Sequence, residues 1–165
     1  MFSVDQYIRS IQSHLKLQSD VLVGNIKKIL ELQFSTDIDL LDFCVLIEPT
    51  RFELSITMFS MDKSANEVFT ERNDTAFAGS VEVLPEIEYY QLNNHQLDDF
   101  FYFYEQNEAT INPLEEKAFT DWFHQCWKNA GGNALKLPAY LIFHDHYRSF
   151  DLKNNQWIED EIKWS

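Results

Sequence analysis

The sequence predicts an α+β fold: an N-terminal amphipathic helix or helix pair, a mainly antiparallel sheet of roughly five to six strands, and a central αα-hairpin packed on one sheet face. Three observations carry this. The first 33 residues show a helical apolar stripe, period-two alternation follows it, and the elements come in runs, helix, strands, two helices, strands, rather than in strict strand–helix alternation. The order along the chain justifies each element in turn.

Over residues 4–33, Ile8, Ile11, Leu15, Leu22, Ile26 and Ile29 recur at spacings of three, four and seven. Ser19 and Asp20 can cap a second segment and Gly24 weakens the middle, so one helix and two remain open. Residues 43–47 form a β-rich run that reads as buried on both faces. In the next strand Phe52, Leu54, Ile56 and Met58 alternate with Glu53, Ser55 and Thr57. Glu48-Pro49-Thr50-Arg51 between them suits a hairpin turn. Residues 61–73 read as a polar loop, and strand character resumes near Phe77 and Val81, with Pro85 marking an edge, a bulge or a break.

Asn93 or Asn94 caps a helix carrying Leu97, Phe100, Phe101 and Tyr104. Asn112 at an N-cap, Pro113 at the first helical position, Glu115 and Glu116 in the first turn, and Gly131-Gly132 beyond the end mark a second helix. Its apolar face is Phe119, Trp122, Phe123, Cys126 and Trp127. Residues 139–143, 147–152 and 156–162 read as strands, with a turn at Lys153-Asn154-Asn155. No internal repeat is apparent.

Length and composition set the class. The 165 residues, 45% of them hydrophobic, fit a single globular domain spanning residues 1–165 with an aromatic-rich core. The longest apolar runs are five residues, far below the ~20 of a membrane span, and the first residues lack the basic and apolar regions of a secretory signal. Two cysteines, Cys44 and Cys126, without Cys-x-x-Cys spacing fit buried thiols in a reducing cytoplasm. The usage of Asn, Lys and Phe is consistent with a low-GC bacterial source.

The formal net charge is −14, from 27 Asp and Glu against 13 Lys and Arg. Such a surface repels phosphate backbones and anionic lipid, so neither nucleic acid nor membrane is the expected partner, whereas it steers basic proteins toward encounter. No cofactor is expected. The four glycines build no phosphate-cradling loop and no Gly-x-Ser-x-Gly occurs. His124 and Cys126 stand two apart on a helix and point about 200° apart, which prevents their pairing.

Four features remain as site candidates. His144-Asp145-His146 follows a strand, and a continued strand would put both imidazoles on one face, with His124, Asp121 or His95 a conceivable third metal ligand. The bland reading, a polar strand end, is favoured. The run Phe100-Phe101-Tyr102-Phe103-Tyr104 covers too much of a helical turn to be all one core stripe; a helix covered on two sides by its own domain is favoured, and the alternative is that Tyr102 or Phe103 faces a partner, which makes a homodimer conceivable. Glu82, Glu86 and Glu88, beside Tyr89 and Tyr90, form one acidic–aromatic segment; Glu159 and Asp160, beside Trp157, form another. Carboxylates flanked by aromatic anchors suit Lys and Arg side chains of a basic protein.

The expected function is therefore a non-enzymatic acidic protein-binding domain. In size, charge and layout the chain is similar to small acidic intracellular bacterial proteins that block toxins, so an immunity-type inhibitor of a basic toxin is the sharpest form of this expectation. A metal-binding protein or enzyme using His144 and His146, and a homo-oligomeric subunit, are the alternatives.

Overall fold

The computed structural model describes residues 1–70 and 75–165. Among these residues three α-helices and six strands form an α+β fold: α1 (Val4–Leu17), α2 (Ser19–Leu30), β1 (Leu40–Glu48), β2 (Glu53–Met61), β3 (Ser80–Glu88), α3 (Leu97–Asn129), β4 (Ala139–Phe143), β5 (Arg148–Asp151) and β6 (Gln156–Glu159). Of the loop expected over residues 61–73, Met61 closes β2 and residues 71–73 lie outside the described residues.

The N-terminal stripe resolves into a helix pair. The Ser3 side chain caps α1 by accepting from the Gln6 N–H, and the break at Gln18 is a tight turn closed by the Gln18 N–H donating to the Leu15 carbonyl at 2.9 Å. Ser19 does not act as a side-chain cap. Its hydroxyl accepts the Trp122 indole N–H at 3.0 Å, which ties the break to α3. Tyr7, Ile11 and Leu15 of α1 and Leu22, Ile26 and Ile29 of α2 are all buried.

The sheet order is β3-β2-β1-β4-β5-β6. Every neighbouring pair is antiparallel except β1 and β4, which run parallel at the centre, with Phe43 opposite Leu141. Two antiparallel meanders, β1–β3 and β4–β6, thus meet along one seam, and α3 is the crossover between them. On one face Phe43 packs on Phe123 and Trp127 of α3, with ring centroids 5.3 and 5.5 Å apart, and Phe143 approaches Phe119.

The opposite face is covered near its middle by a short 3-10 helix, Asp160–Trp164. It buries Lys163 completely against Asp42 of β1, with Nζ 3.0 and 2.9 Å from the two carboxylate oxygens. Ser149 and Asp160 accept from the same ammonium at 2.9 and 2.6 Å, and the Ser149 hydroxyl donates to Asp160. The start of β1 is therefore buried on both faces, although the stretch expected to be so was residues 43–47. Its far end is not, since Leu46 is 44% exposed.

The expected αα-hairpin is corrected to a single 33-residue helix that runs through Pro113. Asn112 does not cap a new helix; its side-chain amide instead meets the Tyr104 hydroxyl at 2.7 Å. The one proton of that hydroxyl goes to Glu115, at 2.6 Å, so one tyrosine splints the turns before Pro113 to those after it. The proline sits on an exposed face, where the carbonyl of exposed Ala109, deprived of its N–H partner, is open to water. At the C-terminal end, Gly131 adopts φ 87°, the left-handed conformation that the two glycines predict.

The β1–β2 turn carries a non-glycine residue in left-handed backbone, Phe52 at φ 55°. That conformation costs roughly 1–2 kcal/mol. It turns the ring inward, where Phe52 is only 6% exposed, stacks on Phe101 and meets Phe100 and Tyr90 edge-on. Packing of four rings offsets the backbone strain.

Candidate binding site

The turn at Phe52 closes one wall of a pocket at the end of the sheet where β1 passes into β2 and where β3 and β4 finish. It has a volume of about 390 Å³, and Phe52, Tyr89, Phe101, Phe119 and Phe143 supply its aromatic walls. Two carboxylates from α3, Glu115 and Glu116, line it together with Asn112, and among the described residues no lysine or arginine does. His146 stands at its rim, Nδ1 3.7 Å from Glu116, with its ring 5.4 Å from that of Phe143.

Glu115 is the focus of the polar groups. The Tyr7 hydroxyl from α1 donates to Oε2, and the Tyr104 hydroxyl donates to Oε1. Burial pushes the Glu115 carboxyl above its ordinary value, a rise that the two tyrosine hydrogen bonds reduce without cancelling. Burial raises the Tyr7, Tyr89 and Tyr104 hydroxyls as well, and the neighbouring Glu115 charge raises them further. The hydroxyls therefore remain protonated donors, and they hold the carboxylate in one orientation.

A second feature flanks the same end of the sheet. Glu48 pairs with Glu53 and Glu53 pairs with Glu88, so three carboxylates oppose one another across β1, β2 and β3. Among the described residues Arg51 is the cation nearest this row, 3.7 Å from Glu53 and 3.7 Å from Glu86. Like charges directly opposite on a sheet are destabilising.

The residues singled out in the sequence divide sharply. Glu82, Glu86 and Glu88 are exposed on β3, an edge strand with irregular register near Pro85, and the pairings Glu82–Thr57 and Glu88–Glu53 put two of them on one sheet face. Tyr102 is 67% exposed on α3 and Glu159 is exposed at the end of β6. Tyr89 and Tyr90, by contrast, are buried and are not surface anchors; Tyr89 lines the pocket and Tyr90 packs on Tyr7 at 4.7 Å. Asp160 is engaged by Lys163 and Ser149. Burial alone would raise its carboxyl, but those hydrogen bonds and the ammonium charge hold it below its ordinary value. Trp157 is half-buried, with Phe150 beside it and the Arg148 guanidinium 5.5 Å over its ring.

The histidines do not converge as a continued strand would make them. β4 ends at Phe143, a turn bonded from the His146 N–H to the Phe143 carbonyl follows, and Asp145 takes φ 67°. His144 contacts Asp145 at 3.0 Å, whereas His124 is buried on α3, where Nε2–H donates to the Leu152 carbonyl at 3.0 Å. Among the described residues no group of three or more His, Cys, Asp or Glu side chains is placed to hold a metal ion. No helix among them is long and apolar enough to cross a membrane.

Sequence reasoning missed the pocket. Glu115 and Glu116 carry the pattern of a helix first turn, which accounts for them without a site, and Tyr7 lies on an element far away in sequence. The signal that could have found it is the surplus of aromatics in residues 100–104, too many for a helix covered on one side. With this geometry in place, no protein-family model, no curated protein and no solved structure matches the chain.

Proposed function

We propose that the protein is a non-enzymatic, acidic binding module for a basic protein partner, of the kind that acts as an immunity-type inhibitor of a basic toxin in a bacterial cytoplasm. The observation that carries this reading is the carboxylate row Glu48–Glu53–Glu88, opposed in register with Arg51 as its one near cation among the described residues. A free fold gains nothing from such a row, since each opposed pair costs stability. A cationic surface docked there removes the repulsion and adds attraction, and the net charge of −14 accelerates the encounter.

The test is capture of partners by the tagged protein at low salt, followed by association kinetics with the stoichiometric basic protein recovered. Glu86→Lys/Glu88→Lys should slow association, more at low salt than at high salt, because screening removes long-range steering. Unchanged rates at low salt would rule out this edge as the docking surface. Recovery of a second copy of the chain in place of a basic protein would favour the homodimer, with exposed Tyr102 as its anchor.

A further inference from the structure

We infer that the aromatic pocket is the seat of one arginine side chain of that basic partner, its guanidinium meeting the Glu115 carboxylate between aromatic walls. This inference rests on the basic-partner reading above and specifies its chemistry. The sign of the charge comes first. The polar lining groups include two carboxylates and, among the described residues, no lysine or arginine, so an anion is repelled. A neutral apolar occupant would strip water from Glu115 without replacing it, which is costly for a carboxylate.

The walls also select a cation. Phe52, Phe101, Phe119 and Phe143 present ring surfaces whose quadrupole attracts positive charge, most strongly where water is displaced. A guanidinium suits such walls better than an ammonium because it is planar, weakly hydrated and stacks on rings. The third argument is acceptor capacity. A carboxylate offers about four lone-pair sites, and the Tyr7 and Tyr104 hydroxyls occupy one on each oxygen of Glu115. One site remains on each oxygen, which is what the two parallel donors of a guanidinium fork require.

The carboxylate is also prepared for its ligand. Two tyrosines fix its orientation, and no ion pair involves it among the described residues, so a cation entering the pocket supplies the charge it lacks. The volume of about 390 Å³ lies at the lower end of the range for ligand pockets and suits a side chain better than a large cofactor. The pocket and the carboxylate row share the end of the sheet where β1 turns into β2, the pocket on the α3 face and the row on the other, so a basic surface wrapped around that turn can cover the row while inserting a single arginine.

The probe is N-acetyl-arginine amide, titrated into the intact protein while the ring signals of Tyr7 and Tyr104 are followed by NMR. The comparison compounds are N-acetyl-lysine amide and N-acetyl-citrulline amide, the latter a neutral near-isostere of arginine. Saturable shifts with the arginine probe are expected, with affinity at least about tenfold weaker for citrulline and a similar loss in Glu115→Gln, the size of one charge-assisted contact. Phe101→Ala, at the half-open wall, gives a second readout should Glu115→Gln fold poorly, and it too should weaken binding.

Citrulline binding as tightly as arginine, or no saturable shift with any of the three, overturns the inference; lysine matching arginine overturns the choice of a guanidinium. The probe needs no partner, so arginine binding without a basic protein partner would sink the module and leave the pocket's chemistry standing. A basic partner whose affinity is unmoved by Glu115→Gln and Phe101→Ala would do the reverse.

Discussion

Lys163→Met tests what the buried charge cluster contributes. The ammonium is fully enclosed and carries three donors, which serve Asp42, Asp160 and Ser149. Methionine is close in volume and leaves two carboxylates facing each other without a cation, Asp42 at 13% side-chain exposure and Asp160 at 29%. Removing one partner from a buried pair costs about 3–5 kcal/mol, because the remaining charge stays desolvated. Total stability for a domain is ~5–15 kcal/mol, so the melting temperature should fall by roughly 10 °C. Urea unfolding followed by tryptophan fluorescence measures the loss, and Asp42→Leu/Lys163→Met should recover about 2 kcal/mol or more of it, since it removes the more buried of the two stranded carboxylates and leaves only the part-exposed Asp160. Burial already holds the Asp42 carboxyl above its ordinary value. Stability linked to its protonation is present at low pH and is lost as pH rises, so the defect in the single variant should narrow toward about pH 4. A single-variant loss under about 1 kcal/mol, or a double variant no better than the single, would refute the reasoning.

The other predictions concern α3 and its C-terminal end. Burial holds His124 below its ordinary value near 6.5, against the opposing hydrogen bond to Leu152. The unfolded chain therefore takes up the proton first, so stability is full above about pH 6.5 and falls as pH drops toward the folded-state value. His124→Gln, which keeps a donor for the Leu152 carbonyl, should flatten that slope in thermal melts between about pH 7 and 5; an unchanged slope would place the titration elsewhere. Gly132→Ala would set a Cβ 2.2 Å from the indole of fully buried Trp127. The ring has no room to yield, and a loss of about 1–3 kcal/mol is expected in urea unfolding. A loss of a few tenths would mean that the 3-10 turn after α3 shifts freely.

Elements set by local pattern were legible in the sequence. Ile11, Leu15, Leu22, Ile26 and Ile29 declare their helical face by spacing alone, and Leu54, Ile56 and Met58 declare their strand, because burial on one side imposes the period. What could not be read is whatever long-range contact decides. Pro113 after Asn112 is the vocabulary of a helix start, yet Tyr104 reaches past the proline to Asn112 and Glu115 and keeps the helix whole. Asp160 sits in an acidic run that looks solvated, and only the fold brings Ser149 and Asp42 around the same lysine. Tyr89 and Tyr90 follow three exposed glutamates and share their edge position in sequence, but the strand has ended and both rings turn inward. The acidic half of the candidate site was visible as charge; the pocket half was not, because Tyr7, Phe52 and Glu115 share no local pattern.

The parallel seam between β1 and β4 has a kinetic consequence. Within each meander the paired strands are neighbours in sequence, but the partners Phe43 and Leu141 lie far apart in the chain, with β2, β3 and α3 between them. Closing so long a loop is slow, because its entropy is spent before the contact repays it. The seam is then expected to form late, and it joins the two halves of the sheet. Its amide protons should exchange with solvent only when the whole molecule opens, while those of the outer strands β3 and β6 are released by local fraying.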